Sequence, residues 1–216
     1  MSPKLALLEE YALVARALAS PARLMLLEQI AQGERGVEAL ADKTGLTVAN
    51  CSQHLQQLRR AGLVTSRREG KAVLYRLTDA RTLGLMELLA RVAGANLAEV
   101  GRILRGLAGE DDMPEPIGRA ELAARLDQGA VTLLDVRPAD EYAMGHIPGA
   151  VNVLPGEIGR VLPGLNPDTE IVAYCRGPYC IFAHQAVAAL RRHGFRARRL
   201  DGGFPEWQAG GRAIDV

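Results

Sequence analysis

Apolar positions recur with helical spacing along the start of the chain. Leu5, Leu8, Ala12, Ala15 and Leu18 fall at three- and four-residue intervals, which predicts a helix over Leu5–Leu18. Ser20-Pro21 offers an N-cap followed by proline at the first helical position, so a second helix is expected to reach Ala31, before Gly33. A short helix over Val37–Lys43, a turn at Gly45-Leu46, and a longer helix from the cap Thr47 to Arg60, stopped by Gly62, come next. Two helices joined by a glycine-containing turn of this size predict a helix-turn-helix. On the second of them Val48, Cys51, Leu55 and Leu58 mark the buried face.

The spacing then changes. Leu63–Ser66 and Ala72–Leu77 read as strands flanking a basic tip, Arg67-Arg68-Glu69-Gly70-Lys71, which makes a wing. Helical spacing returns over Leu83–Leu107, where Leu85, Leu88, Leu89, Val92, Leu97, Val100, Ile103 and Leu104 are too many for a helix exposed on one side. Gly106–Pro116 is acidic, non-periodic and contains Gly and Pro, as a linker does. Beyond it a helix is expected over Glu121–Leu126, a buried strand over Val131–Asp135, and a strand over Phe195–Leu200. Asp135 and Arg137 are expected to brace this half through charged hydrogen bonds. The chain therefore divides into residues 1–108, a linker 109–116, and residues 117–216.

Charge sharpens that division. The net charge of +1 hides 15 Lys+Arg against 10 Asp+Glu in residues 1–108 and 11 against 15 in the remainder. The basic half suits a polyanionic partner. Asn50, Ser52, Gln53, Gln56 and Gln57 lie off the buried face of the second helix, with Thr47 at its start, and their side chains suit base edges in a major groove. Arg67, Arg68 and Lys71 stand nearby to hold phosphates. Three cysteines in 216 residues make no disulfide scaffold and point to a reducing compartment. Glu9, Glu10 and Arg16 interrupt the N-terminal apolar stretch, unlike a secretory signal, and no run approaches membrane-spanning length. A cytoplasmic protein with no membrane partner is expected.

The candidate chemistry lies in the second half. Ile171–Tyr174 reads as a short buried strand and Ile181–His193 as a helix, with Cys175-Arg176-Gly177-Pro178-Tyr179-Cys180 between them. Gly177 and Pro178 forbid regular structure, so these six residues form a tight strand-to-helix loop. Backbone N–H groups of such a loop converge, and the helix that follows adds its positive end. A thiol there is expected to ionise more readily than the ~8.5 of a free cysteine. Zinc is not expected: the C-x4-C spacing is at the edge of the usual range and no second pair completes four ligands. His184, one turn into the helix, reads as a packing residue, and no cofactor or metal is implied.

At this loop the sequence resembles the rhodanese (sulfurtransferase) family. Leu134-Asp135-Val136-Arg137, Glu141-Tyr142 and Gly145-His146-Ile147-Pro148-Gly149-Ala150 match its upstream signature, and Asp201-Gly202-Gly203-Phe204-Pro205-Glu206-Trp207 its C-terminal one. The resemblance implies an α/β domain with a parallel sheet, and a Cys175 that carries a persulfide taken from a donor such as a persulfide, polysulfide or thiosulfate. Related phosphatases have a loop one residue longer, ending in Arg where Ile181 stands here, so this loop suits sulfur. Cys180 departs from the Arg, Thr or Ser that many members carry. It reads either as a resolving thiol for Cys175 or as a plain loop residue.

Residues 10–105 resemble the ArsR family of winged-helix repressors, best over Thr44–Thr78. That resemblance implies a homodimer, with the first and last helices of the domain packing across the two-fold, on an inverted-repeat operator in double-stranded DNA. Glu34–Ala41 lacks the Cys-x-Cys of arsenic and cadmium sensors, and the last helix lacks a zinc set. Cys51, on the core face, reads as packing. The expected fold is thus a mainly-α winged helix-turn-helix followed by an α/β rhodanese-like domain with a parallel sheet. Three functions fit: a repressor that senses reactive sulfur or redox state through Cys175; a sulfurtransferase that the winged helix merely localises; and a repressor with an idle rhodanese domain.

Overall fold

The structure, a computed structural model, describes residues 2–108 and 114–216. Of the expected linker 109–116, residues 109–113 lie outside the described residues. The contacts divide the chain into two compact units, one ending at Gly84 and the other beginning at Leu85. That division precedes the compositional boundary at 108 and falls inside a helix.

The first unit runs α1 (Pro3–Leu18), α2 (Pro21–Ala31), β1 (Arg35–Gly36), α3 (Val37–Thr44), α4 (Val48–Arg60), β2 (Val64–Glu69) and β3 (Ala72–Leu77). The Thr47 hydroxyl accepts from the Asn50 N–H at 3.2 Å and starts α4, whereas Ser20 makes no side-chain cap for α2. Between α3 and α4, Gly45 at φ 68° makes the left-handed turn that a side chain would resist. Leu26, Leu27, Leu40, Cys51, Leu55 and Leu58 are fully buried, as helical spacing requires. Val48 is not: half of it is exposed. A helical side chain packs back over the preceding turn, and the first residue of a helix has none. The three strands form an antiparallel sheet in the order β1-β3-β2. Arg67 and Arg68 lie within β2, paired with Leu74 and Val73, so the tip shrinks to Gly70-Lys71.

The helix expected over Leu83–Leu107 is two helices, α5 (Arg81–Asn96) and α6 (Ala98–Ala108). The Asn96 side-chain amide donates to the Val92 carbonyl at 2.8 Å, the kind of local competition for backbone groups that ends a helix. From Leu85 onward these helices belong to the second unit.

The second unit continues with α7 (Arg119–Asp127), β4 (Val131–Asp135), α8 (Ala139–Tyr142), β5 (Val151–Asn152), α9 (Ile158–Val161), β6 (Glu170–Tyr174), α10 (Phe182–Arg192), β7 (Ala197–Arg199) and α11 (Phe204–Ala209). The strands form a parallel sheet in the order β5-β4-β6-β7. Both faces are covered, as parallel sheets require. Ile171 and Ala173 of β6 pack with α10, while Val172 and Tyr174 pack with Leu122 of α7 and with Phe204 and Trp207 of α11, the two-residue alternation of a strand. The expected brace is present and wholly enclosed. Arg137 donates through Nε to both Asp135 oxygens at 3.0 and 3.1 Å, through Nη2 at 2.6 Å, and on to the Gly145 carbonyl at 2.7 Å. Among the described residues no helix is long and apolar enough to cross a membrane.

Candidate cysteine pocket and nucleic-acid surface

The loop between β6 and α10 is held from three sides. From behind, Gly203 comes so close that a Cβ on it would stand 2.4 Å from the Cys175 carbonyl oxygen and the Gly177 nitrogen. The Phe204 N–H donates to that same carbonyl at 3.0 Å. Only glycine fits at 203, which is why a Gly-Gly pair precedes α11. From below, the buried Glu206 carboxylate accepts from the Gly203 N–H at 2.8 Å and lies against Gly177, itself at φ 133°. Burial pushes the Glu206 carboxyl up to about 7. From the side, Arg176 grips the fully buried Glu141 of α8 with Nε at 2.9 and 3.0 Å and Nη2 at 2.8 Å. Arg176 is therefore a fastener of the loop.

Cys175 and Cys180 are brought together, 2% and 6% exposed, with the Cys175 Sγ 3.7 Å from the Cys180 carbonyl oxygen. Both are free thiols. The expected cradle exists: N–H groups of Gly177 and Ala183 face the Cys175 sulfur, and those of Arg176 and Phe182 face Cys180. The order of ionisation, however, corrects the sequence reading. A hydrogen bond to Cys180, then burial, hold the Cys175 thiol well above its ordinary value. Cys180 takes the charge instead: the hydrogen bond from Cys175, with the two N–H groups and the Arg176 charge, draws it to about 7 against the opposing effect of burial. The two thiols thus titrate as a pair, with Cys175 held up and Cys180 drawn down.

The thiols line a cavity of about 260 Å³. Its far wall is unexpected from sequence. Glu87, Ala90, Arg91 and Gly94 of α5 and Leu104 of α6 face the loop, and α6 packs on α10. Those α5 residues form one helical stripe, while Leu88, Leu89 and Val92 form another that is exposed. Arg91 is tied to Glu87 at 2.8 Å and to Asp201 at 3.4 Å. His184 and Arg199 complete the wall. Burial, with the charge of Arg199, pushes the His184 imidazole down to about 4, so it is neutral at physiological pH. Among the described residues no group of three or more His, Cys, Asp or Glu is placed to hold a metal.

In the first unit Thr47, Asn50, Gln53 and Gln56 are exposed along α4, and Ser52 is half-buried, less available than its spacing suggested. Gln57 accepts from Arg23 at 2.6 Å. Arg68 and Lys71 are exposed, but Arg67 is engaged within the protein, paired with Glu34 at 2.6 Å and Glu69 at 2.9 Å. Cys51 lies in the core as expected, its thiol pushed up by burial. The groups that sequence reasoning missed are Glu87, Arg91 and Arg199 at the cavity, and the holding roles of Glu141 and Glu206. Only the last two had a signal, since both sit in the quoted signatures.

Comparison with known proteins agrees with this two-part build. A family described as rhodanese-like domain matches residues 119–210, and one described as helix-turn-helix domain matches residues 18–67. The chain is 44% identical over 212 residues to the HTH-type transcriptional regulator Rv0324 of Mycobacterium tuberculosis, covering 98% of this chain and 93% of that one. It is 44% identical over 80 residues to the biofilm growth-associated repressor of Agrobacterium fabrum, covering 37% of this chain and 68% of that one. Among solved structures it is similar to a homodimeric winged helix-turn-helix DNA-binding domain from Mycobacterium bovis, at 42% identity and a TM-score of 0.42, covering 45% of this chain and 90% of that one.

Proposed function

Because the chain belongs to the family of ArsR-type helix-turn-helix transcriptional regulators that carry a rhodanese-like domain, we propose that it is a DNA-binding repressor whose cysteine pocket senses reactive sulfur. The observation that carries this reading is the position of α5. One stripe of that helix walls the pocket of Cys175 and Cys180, and its neighbouring stripe is apolar and exposed. The exposed stripe, like Leu5, Leu8 and Tyr11 of α1, suits the two-fold contact of a homodimer. A dimer presents two copies of α4 to an inverted repeat in double-stranded DNA, with Asn50, Gln53 and Gln56 at base edges and Arg68 and Lys71 on phosphates.

The chemistry starts from the shared proton. As Cys175 attacks the outer sulfur of a sulfane donor, its proton passes to the Cys180 thiolate, and a persulfide forms on Cys175. Cys180, once deprotonated, then attacks the Cys175 sulfur; the new S–S bond closes the pair and hydrosulfide leaves with the electrons of the old bond. Either product is bulkier or differently charged than the resting pair in a cavity of about 260 Å³. Pressure on the α5 wall is then pressure on the dimer contact. A hundredfold loss of operator affinity requires the modified pair to favour the weak-binding state by about 2.7 kcal/mol.

The test is operator binding by the full-length protein on its own upstream region, with and without inorganic polysulfide, with mass spectrometry of the loop. The expected result is single-equivalent, thiol-reversible modification of Cys175 and weakened DNA binding, both lost in Cys175→Ser. Steady turnover of a sulfur donor to an acceptor with DNA binding unchanged would overturn the sensor in favour of a sulfurtransferase.

A further inference from the structure

The second unit has another cavity, of about 730 Å³, at the end of its sheet away from the cysteines. Val131, which lines it, begins β4, whereas Cys175 follows the last residue of β6, and these two strands run parallel. The two cavities share no lining residue. This volume lies within the roughly 300–1,000 Å³ typical of sites for small organic ligands. Ala123 and Leu126 of α7, Val131, Pro148 and the Trp207 indole of α11 give it apolar walls.

Two charged side chains interrupt those walls, Asp127 and Arg212. The half-buried Arg212 guanidinium lies over the Trp207 ring, 5.1 Å from its centroid. Among the described residues it makes no hydrogen bond or ion pair with a carboxylate. A guanidinium resting on an aromatic face keeps its planar fork of N–H donors open to an anion. The indole N–H does not compete for that anion, because it donates to the Ala213 carbonyl at 2.9 Å. Trp207 therefore offers a ligand only its apolar surface. Asp127 brings the opposite sign to the same lining, so a second negative charge on the ligand meets repulsion.

We propose that this cavity binds a small apolar monocarboxylic acid, with its carboxylate on Arg212 and its hydrocarbon part against Leu126, Val131 and Trp207. The lining excludes the neighbouring chemistries. An uncharged apolar molecule leaves the guanidinium unmet, and an inorganic anion leaves the apolar walls in water. A dicarboxylate sets its second charge against those walls or against Asp127. Binding is non-covalent and uses neither thiol, so the site goes beyond the sulfur chemistry assigned above to Cys175.

The test titrates the full-length protein with phenylacetate and with its uncharged isostere phenylacetamide. Trp207, the one tryptophan of the chain, reports through its fluorescence, and calorimetry gives an independent reading. Phenylacetate is expected to saturate with a Kd of about 1 mM or lower, as a ligand of its size allows. Phenylacetamide should bind about tenfold more weakly, for want of one charge-assisted contact. Arg212→Gln should bring phenylacetate down to the level of the amide while amide binding stays unchanged, which shows the cavity intact. Arg212→Lys should recover most of the loss. Asp127→Asn should strengthen the binding of phenylmalonate, which carries a second carboxylate. Cys175→Ser should bind phenylacetate as the wild type does, so loss of sulfur sensing and loss of this site are read separately. Equal affinity for phenylacetate and phenylacetamide, or undiminished phenylacetate binding by Arg212→Gln, would overturn the carboxylate assignment. Absence of saturable binding by either probe up to about 10 mM would overturn the site itself.

Discussion

Arg67 pairs with Glu34 at 2.6 Å on a surface where half of the arginine side chain meets water; Arg137 pairs with Asp135 at the same distance with both side chains sealed from solvent. In the first unit the groups placed to act are exposed, Asn50, Gln53, Gln56 and Arg68 on regular elements and Lys71 in the tight turn between two strands. In the second, Cys175 and Cys180 are buried, and a glycine, a carboxylate and a salt bridge from two other segments hold their loop. The difference follows from partner size. A surface that reads a duplex needs only a rigid helix with the right residues outward. A pocket that handles a few atoms must fix its own atoms first, and does so with contacts that water cannot compete for.

The largest expected effect comes from setting the two arginine pairs against each other. Asp135→Ala strands the Arg137 guanidinium in the core and should cost about 3–5 kcal/mol, the penalty for half of a buried pair. Trp207, the one tryptophan of the chain, reports on that unit through its fluorescence in a urea titration. Glu34→Ala frees an arginine that water already reaches, and the circular-dichroism unfolding midpoint should stay where it was. Equal destabilisation by the two substitutions would abolish the contrast.

The same contrast explains what the sequence made legible. Helical spacing located α1 through α4, and the Ser-Pro, Thr and Gly signals placed their ends, because those elements are specified by residues a few positions apart. In the second unit β4, β6, β7 and the cysteine loop were legible because apolar runs, a Gly-Pro pair and two signatures marked them, whereas the two-residue β5 was too short to show a pattern. The break at Leu97 was not, since it turns on one asparagine reaching its own backbone. Nor was the pocket's far wall. Glu87 and Arg91 sit in a stretch whose apolar count drew attention to its outward stripe, and Arg199 lies among several arginines with nothing local to set it apart. Only the packing of α5 and β7 around the loop brings these charges to the cavity.

A smaller shift is expected in the thiol pair. Cys180 draws its low pKa first from the hydrogen bond donated by Cys175. Its thiolate therefore forms as pH rises through about 7, and labelling at Cys180, read by mass spectrometry, should rise to a plateau above that pH. In Cys175→Ala the donor is gone, and the midpoint should move up by a unit or more, to about 8.5 or beyond. Cys51 provides the comparison from the other unit: a single core thiol pushed up by burial, it should stay unlabelled until the protein unfolds. A Cys180 midpoint that remains near 7 without Cys175 would mean that the loop's N–H groups and Arg176 act alone.

The smallest effect separates two adjacent arginines on the wing. Both lie in β2 and both are exposed, so composition treats them alike. Arg67, however, already faces Glu34 and Glu69, while Arg68 is exposed and paired with neither. A cation neutralised by its own protein releases few counterions on meeting a phosphate. Arg68→Ala should therefore lower the slope of log affinity against log salt by about one unit per half-site, with sequence preference unchanged. Arg67→Ala should leave that slope nearly intact. Gln53→Ala supplies the complementary outcome, a preserved slope with weakened preference for the native operator. If instead Arg67→Ala lowered the slope as much as Arg68→Ala, Glu34 must release its arginine when DNA binds, and the surface would be shaped by its partner rather than set in advance.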